Sequence, residues 1–302
     1  MNVLEYTKGV EKTINPMDVG TTHHMQKKLS KLPVFIQRKI VTAATKKATK
    51  MGFVVEPYAF FLFYELSDPA RVLKYLPDGF EPEKCSIFEG DKPKYYGSAT
   101  IFRLHTSVFW GARVEFYVMA RNTKTGLLSW IILDYISDTI SYDKKHGLRS
   151  PEVEGGIVTT TCEGDFVAEM ISAEGRGKVE VLANLEHHKM RKLDEQMWID
   201  GNTSIAYGRE IGGDDGSLFS LTFFPEEMDS AWELPLSSVR EAKITFFPEV
   251  FKEELDKVVC FPYAQHMLSD SPGQQTHYGS VALLRAAVEN VDFKKLRTFS
   301  QK

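Results

Sequence analysis

Short runs of β-branched and aromatic residues dominate the chain from Phe53 onward. FVVEPYAFFLFYEL (53–66), YYGSATIFRLHTSVFW (95–110), ARVEFYVMA (112–120) and LLSWIILDYI (127–136) follow one another at the spacing of β-hairpins. The segment RNTKTG (121–126) is rich in turn-forming residues and separates two of these runs. Further strand candidates are GIVTTTCEGDFVAEMIS, GKVEVLANLE, MWIDGNTSIAYGREI, LFSLTFF and EAKITFF. Because helices do not alternate with these runs, the pattern predicts an antiparallel barrel or a curved double sheet.

Helix signals are fewer and lie mostly near the N-terminus. Apolar residues between Met25 and Met51 recur near helical spacing, which predicts one or two amphipathic helices that start near Pro33. Asp68 as N-cap before Pro69 predicts a short helix, and 247–258 (FPEVFKEELDKV) predicts another. We therefore expect a β-rich α+β fold, with a helical arm at 1–52 and one β-barrel domain at 53–302.

Composition and charge indicate an ordinary globular protein and argue against membrane-spanning and general nucleic-acid-binding proteins. The 302 residues are 43% hydrophobic and 26% charged, as in an ordinary globular protein, and no run approaches 18 apolar residues, so no membrane-spanning helix is predicted. Cys85, Cys162 and Cys260 lie far apart, and the N-terminus lacks an apolar signal segment, which together predict free thiols in the cytoplasm. The net charge of −4 argues against general nucleic-acid binding.

The helical arm is basic in a chain that is otherwise acidic. No acidic residue occurs between Met25 and Met51, and this stretch contains Lys27, Lys28, Lys31, Arg38, Lys39, Lys46, Lys47 and Lys50. Two interpretations remain open: the arm contacts an anionic membrane or polyanion, or it is a solvated helix that packs on the main body or on a second copy. Because the arm offers a contact, we expect a homo-oligomer.

The run 111–121 carries the clearest candidate site. Alternation along a strand puts Arg113, Glu115 and Tyr117 on one face and the apolar Val114 and Phe116 on the other. If the polar face looks inward, Arg113 can hold a carboxylate by forked hydrogen bonds and Glu115 can move a proton, while the apolar face packs against a helix. The alternative is an ion ladder on a solvent-facing sheet.

Aromatic residues would suit a cavity for a partly apolar ligand, although core packing also explains them. They are Phe102, Phe109, Trp110, Tyr117, Trp130, Tyr135 and Tyr142. We take Trp110, Tyr117 and Tyr142 as candidate ligand contacts beside Arg113. The signatures of nucleotide-binding loops, metalloproteases and calcium loops are missing from the sequence, and we predict no metal or organic cofactor.

Lys144 and Lys145 form the candidate catalytic pair. An amine attacks a ketone only after its proton is lost, which desolvation or a neighbouring cation promotes. Asp143 precedes the pair and His146-Gly147 follows, a composition typical of a solvated turn. A carboxylate beside an amine also opposes its activation.

From ARVLKYLPDGFEP to the lysine pair, the order of features resembles the acetoacetate decarboxylase-like superfamily. The resemblance covers roughly residues 53–151 and includes a short helix that ends in Leu-Pro-x-Gly, several strands and then paired lysines. Decarboxylases of this group carry Gly-aromatic-Pro-Lys-Lys after a Gly-Arg-Glu element, where this chain has Ser141-Tyr142-Asp143-Lys144-Lys145. GREIGG (208–213) lies much later and is followed by Asp214-Asp215, so this interpretation gives it no role.

The resemblance implies that Lys144 or Lys145 is a Schiff-base residue and the other its electrostatic neighbour. It also implies that Arg113 and Glu115 handle the carboxylate and the proton of a small keto acid. Two functions therefore stay open: an imine-forming lyase, or a protein that keeps the cavity and binds a small molecule, such as a carboxylate, without this chemistry.

Overall fold

The computed structural model describes residues 1–45, 50–213, 218–270 and 278–296. Four residues named in the sequence analysis lie outside these ranges: Lys46, Lys47, Asp214 and Asp215. The helices are α1 (Val3–Glu11), α2 (Pro16–Leu29), α3 (Val34–Thr45), α4 (Arg209–Gly212) and α5 (Val281–Glu289). The first ten strands are β1 (Lys50–Val55), β2 (Ala59–Leu66), β3 (Phe80–Pro82), β4 (Lys84–Cys85), β5 (Lys94–Thr106), β6 (Trp110–Asn122), β7 (Leu128–Ser137), β8 (Ser141–Asp143), β9 (Gly147–Arg149) and β10 (Ile157–Thr160). The others are β11 (Asp165–Ile171), β12 (Lys178–Asn184), β13 (Lys189–Lys192), β14 (Ile205–Tyr207), β15 (Leu218–Phe219), β16 (Leu221–Thr222), β17 (Ser230–Leu234), β18 (Val239–Ile244), β19 (Phe251–Phe261) and β20 (Gln265–Asp270).

One large curved sheet forms the body of the protein. Its path runs β13-β17-β19-β2-β5-β6-β7-β14-β15, while β1 pairs with β5 and β20, and β16 pairs with β20. Only Ser220 separates β15 from β16, so the two branches of the sheet approach each other there and enclose an interior. This confirms the β-rich fold class, and of the two predicted forms the curved sheet is the one observed.

A second sheet covers the outer face of the first. It has the order β10-β11-β12-β18, and Phe166 of β11 stacks on Phe60 of β2 with ring centroids 4.3 Å apart. Val114 and Phe116 of β6 are fully buried in this layer. The predicted alternation on β6 is therefore confirmed, but the partner of its apolar face is a sheet, and the predicted helix there is wrong. A sheet can cover this broad face because its own alternation presents Phe166 and its neighbours inward.

The helix predictions have mixed outcomes. Helix α3 begins directly after Pro33, as predicted, and the Asp68 carboxylate accepts a hydrogen bond from the Ala70 amide at 2.9 Å to cap a single 3₁₀ turn. The helix predicted at 247–258 is wrong, because most of this segment is in β19, which fills the gap between β2 and β17. Residues 197–211 were predicted as a strand, yet only β14 is one, and turns of π- and 3₁₀-helix precede it. In both places pairing with distant strands outweighs local propensity.

Helices α1 and α3 pack on the body of the protein. Tyr6 and Val10 of α1 are fully buried, and the Tyr6 hydroxyl donates to the Thr222 carbonyl at 2.5 Å. Helix α3 lies on β9, where the Leu148 amide donates to the Gln37 side-chain oxygen at 2.7 Å. Helices α1 and α3 thus belong to the same folded body as the sheet.

None of the helices in the described ranges is long and apolar enough to span a lipid bilayer.

Candidate functional site

A buried chain of three polar side chains lies on the inner face of β6. Arg113 Nε donates to Glu115 Oε1 at 2.6 Å, and the Tyr117 hydroxyl donates to the other oxygen of the same carboxylate. Arg113 and Glu115 are only 9% and 8% exposed. Both carboxylate oxygens are therefore hydrogen-bonded inside the protein, and the solvent-facing ion ladder considered from the sequence is not what forms.

Strand register puts these residues together. Glu115 lies opposite Thr100 of β5 and Tyr135 of β7, and Arg113 lies opposite Phe102 and Ser137. Residues opposite each other on neighbouring antiparallel strands share a face, so Tyr135 joins the inner surface. The sequence predicts the alternation within β6, but it does not predict the register with the strands on either side.

Two guanidinium groups lie against the ring of Tyr135. The Arg113 Cζ lies 3.9 Å from the ring centroid and the Arg149 Cζ lies 4.4 Å from it. The Tyr135 hydroxyl lies 3.2 Å from an oxygen of Asp143, to which it donates a hydrogen bond. Burial raises the pKa of the Tyr135 hydroxyl, so this group remains a hydrogen-bond donor at neutral pH. Tyr135 thus connects the interior site to the β8–β9 hairpin.

Tyr207 on β14 adds another aromatic ring to the inner face, although the sequence had not indicated a role for it. Its ring stacks on Phe219 with centroids 5.2 Å apart, and burial raises the pKa of its hydroxyl to about 12. Tyr117 meets Trp130 edge to face at 5.1 Å. Tyr117, Tyr207 and Phe219 pack against the buried core of the inner face but are only half-buried, so part of each ring is accessible to solvent. The signal for Tyr207 was weak, because β14 has only three residues.

The β8–β9 hairpin carries the lysine pair. Lys144 is half-buried and Lys145 is exposed, and the Lys145 amine forms a salt bridge with Glu210 at 3.0 Å. The Lys145 amide also donates to the Ile211 carbonyl at 3.1 Å. The structure thereby brings GREIGG, to which the sequence interpretation gave no role, against the lysine turn.

Ser141 and Asp143 of β8 turn toward the buried cluster. The Ser141 hydroxyl accepts a hydrogen bond from Arg113 Nη1 at 3.0 Å, and Asp143 accepts one from the His146 amide at 2.6 Å. Both residues are at least 95% buried. The hairpin therefore contributes polar groups to the interior through the residues before the lysines.

Two predicted ligand contacts lie elsewhere. Trp110 is 51% exposed at the start of β6, stacks on His105 and donates from its indole nitrogen to Glu56 at 2.7 Å. Its even position on the strand puts it on the face opposite Arg113. Tyr142 is half-buried and alternates with Ser141 and Asp143, so it lies on the other face of β8. Neither contributes a hydrogen bond to the Arg113 cluster among the described residues.

Within the described ranges, no group of three or more His, Cys, Asp or Glu side chains is arranged to hold a metal ion.

Comparison with known proteins gives similarity at the level of structure alone. No protein-family model matches the chain, and no curated protein matches it. Acetoacetate decarboxylase from Legionella pneumophila is 11% identical over 74% of this chain and 86% of its own, with a TM-score of 0.46. The chain is similar to acetoacetate decarboxylase structures. A second one is 12% identical over 75% of this chain and 93% of its own, with a TM-score of 0.41.

The enduracididine biosynthesis enzyme MppR, in a structure with HEPES buffer bound, is also similar. It is 11% identical over 73% of this chain and 85% of its own, with a TM-score of 0.44. The two decarboxylases are of the kind that the sequence resembles, but likeness at this level assigns no activity to this chain.

Proposed function

We propose that the protein binds a small, partly apolar carboxylic acid on the inner face of the curved sheet, with Arg113 as its anchor. The observation that supports this most is the buried Arg113–Glu115–Tyr117 chain beside half-buried aromatic rings. A buried ion pair is costly to desolvate, so its place in a core that apolar residues could fill favours a role in binding.

Arg113 suits a carboxylate because a guanidinium has five N–H donors in a planar fork. Within the described residues its hydrogen bonds go to Glu115 and to Ser141. Glu115 holds the Nε of the guanidinium and Ser141 holds Nη1, and we expect the carboxylate of a ligand to replace the Ser141 contact. The rings of Tyr207 and Phe219 would then cover the apolar part of the ligand.

The position of Lys145 favours binding over imine formation. An imine-forming amine is activated by desolvation or by a nearby cation, whereas the Lys145 amine is exposed and contacts the Glu210 carboxylate. Lys144 is half-buried in the same turn. We therefore prefer a small-molecule-binding function that does not use the chemistry of the acetoacetate decarboxylases.

Calorimetric titration with phenylpyruvate and with phenylacetone tests this proposal, because the two compounds share a ring and a ketone but only the first has a carboxylate. We expect phenylpyruvate to bind at least tenfold more tightly. The Arg113→Met/Glu115→Leu double variant, which removes both charges of the pair together, should lose this preference, and Lys145→Met should keep it. Equal affinity for both compounds, or a preference that survives the double variant, would overturn the proposal.

Borohydride reduction of the phenylpyruvate mixture distinguishes the two open functions. We expect no covalent adduct by mass spectrometry. An adduct on Lys144 or Lys145 would instead assign imine chemistry to the protein. Assembly into a homo-oligomer remains a prediction, and sedimentation velocity tests it.

A further inference from the structure

The outward side of α3 and the turn before it combine exposed apolar residues with cations. Phe35 is 62% exposed and Leu32 is 38% exposed, so both side chains present apolar surface to water. Arg38 and Lys39 follow Phe35 by three and four positions, so both lie beside it on the helix. We call this surface the α3 face; its residues are Lys28, Lys31, Leu32, Phe35, Arg38 and Lys39.

The opposite side of α3 is fixed to the protein. Gln37 is 97% buried, and its amide nitrogen donates to the carbonyls of Ser30 at 3.2 Å and Leu32 at 2.7 Å. Its oxygen accepts from the Leu148 amide of β9 at 2.7 Å. Because Phe35 lies two positions before Gln37, about 200° around the helix, the anchored Gln37 directs Phe35 away from the body.

Charge sets this face apart from the rest of the molecule. No Asp or Glu occurs between Val19 and Val55, although the whole chain carries a net charge of −4. Lys28, Lys31, Arg38 and Lys39 are all exposed. The segment therefore combines exposed cations with the exposed Phe35 and Leu32, a combination that favours contact with an anionic interface.

We propose that the α3 face docks the protein on membranes that contain anionic lipid, with Phe35 and Leu32 at the boundary between headgroups and acyl chains. Four nearby cations supply attraction to the anionic headgroups, and the two apolar side chains gain by leaving water. A nucleic acid would match the charge, and a single strand can stack a base on Phe35, but it offers no comparable apolar contact for Leu32. A symmetric contact with a second copy would bring the same cations together, which repels.

Flotation of the full chain with phosphatidylcholine vesicles, with and without 30% phosphatidylserine, tests the proposal. We expect binding only to the vesicles with phosphatidylserine, and loss of binding at high salt. Lys31→Gln/Lys39→Gln should lower the partition coefficient about 25-fold, because each basic residue contributes about fivefold at an anionic surface. Phe35→Ser should also reduce binding at least fivefold, since the apolar contact is lost.

Matched controls separate docking from general effects of charge or folding. Lys124→Gln changes an exposed lysine in the β6–β7 turn, and Leu236→Ser changes an apolar residue that is 47% exposed. Both should bind vesicles as the unaltered protein does. Equal binding to both vesicle types, or unchanged binding by the α3-face variants, would overturn the proposal. The proposal would also be overturned if the protein bound single-stranded DNA through the α3 face more tightly than it bound the vesicles. Self-association that the same variants abolish would overturn it as well.

Discussion

The Lys145 amine lies 3.0 Å from the Glu210 carboxylate, and 44% of the lysine side chain and 57% of the glutamate side chain are exposed. This salt bridge joins the β8–β9 hairpin to α4, two segments that are distant in sequence. It also places the more exposed member of the lysine pair in water. The Lys145 amine is therefore paired with a carboxylate and is not desolvated.

We predict that the Lys145–Glu210 salt bridge contributes less than about 1 kcal/mol to the free energy of unfolding, because exposed pairs are screened by solvent. Urea denaturation of Lys145→Met, Glu210→Gln and the double variant measures this coupling energy. A coupling above about 2 kcal/mol would contradict the exposed geometry.

The buried Arg113–Glu115 pair should behave differently. Arg113→Met leaves the Glu115 carboxylate buried without its cation, and we expect it to lower the free energy of unfolding by about 3–5 kcal/mol. Arg113→Met/Glu115→Leu should recover most of that loss, because no lone charge remains inside. Chemical denaturation of both variants tests this, and a double variant no more stable than the single one would show that the pair itself stabilises the fold.

Stability should fall as pH rises because of Glu227. Its carboxylate accepts from the His266 amide at 2.7 Å, and burial raises its pKa from 4.5 to about 8. Below pH 4.5 the carboxyl group is protonated in both states, and its contribution to stability is complete. Between pH 4.5 and 8 only the unfolded chain loses the proton, so the free energy of unfolding decreases.

Glu227→Gln removes this titration and should therefore be more stable than the unaltered protein at pH 8, by a few kcal/mol, since one pKa unit corresponds to about 1.4 kcal/mol. At pH 5 the difference should nearly vanish. Urea denaturation of both proteins at pH 5, 6.5 and 8 measures it. Because the His266 ring lies 3.9 Å from the Glu227 carboxylate and 3.0 Å from that of Glu11, the same comparison in a His266→Gln background is the control. If the free energies of unfolding of the two proteins differ by the same amount at all three pH values, the prediction is wrong.

Helix α1 should be necessary for the stability of the whole domain. Tyr6 is fully buried and meets Phe224 edge to face with ring centroids 5.2 Å apart. We expect Tyr6→Ala to lower the free energy of unfolding by about 3–5 kcal/mol, the usual cost of removing a buried aromatic ring. Leu4→Ala on the same helix is the control, since Leu4 is 59% exposed and should change stability little. If Tyr6→Ala costs no more than Leu4→Ala, α1 is not part of the core in solution.

The three cysteines should react at two distinct rates. Cys162 is exposed, whereas Cys85 and Cys260 are buried, and burial raises the pKa of both buried thiols. Labelling with a thiol reagent at pH 8 should modify Cys162 quickly and the other two only after denaturation. Cys162→Ser should abolish the fast phase, and a fast phase that persists in this variant would show that a buried thiol is accessible.

The sequence determined the local features that depend on neighbouring residues. Alternation in 111–121 predicted that Arg113, Glu115 and Tyr117 share one face, and Pro33 predicted the start of α3. These predictions hold because side-chain direction in a strand and the start of a helix depend on residues only a few positions apart.

Only the tertiary structure decided which residues from other strands contact these faces. The register of β5, β6 and β7 put the Tyr135 ring in contact with Arg113 and Arg149, and the short β14 brought Tyr207 to the same interior. The segment 247–258, helical by composition, is largely strand because it completes hydrogen bonds between β2 and β17. Such pairings join residues far apart in the chain, and their free energy exceeds local propensities of under 1 kcal/mol per residue, so no local pattern can reveal them.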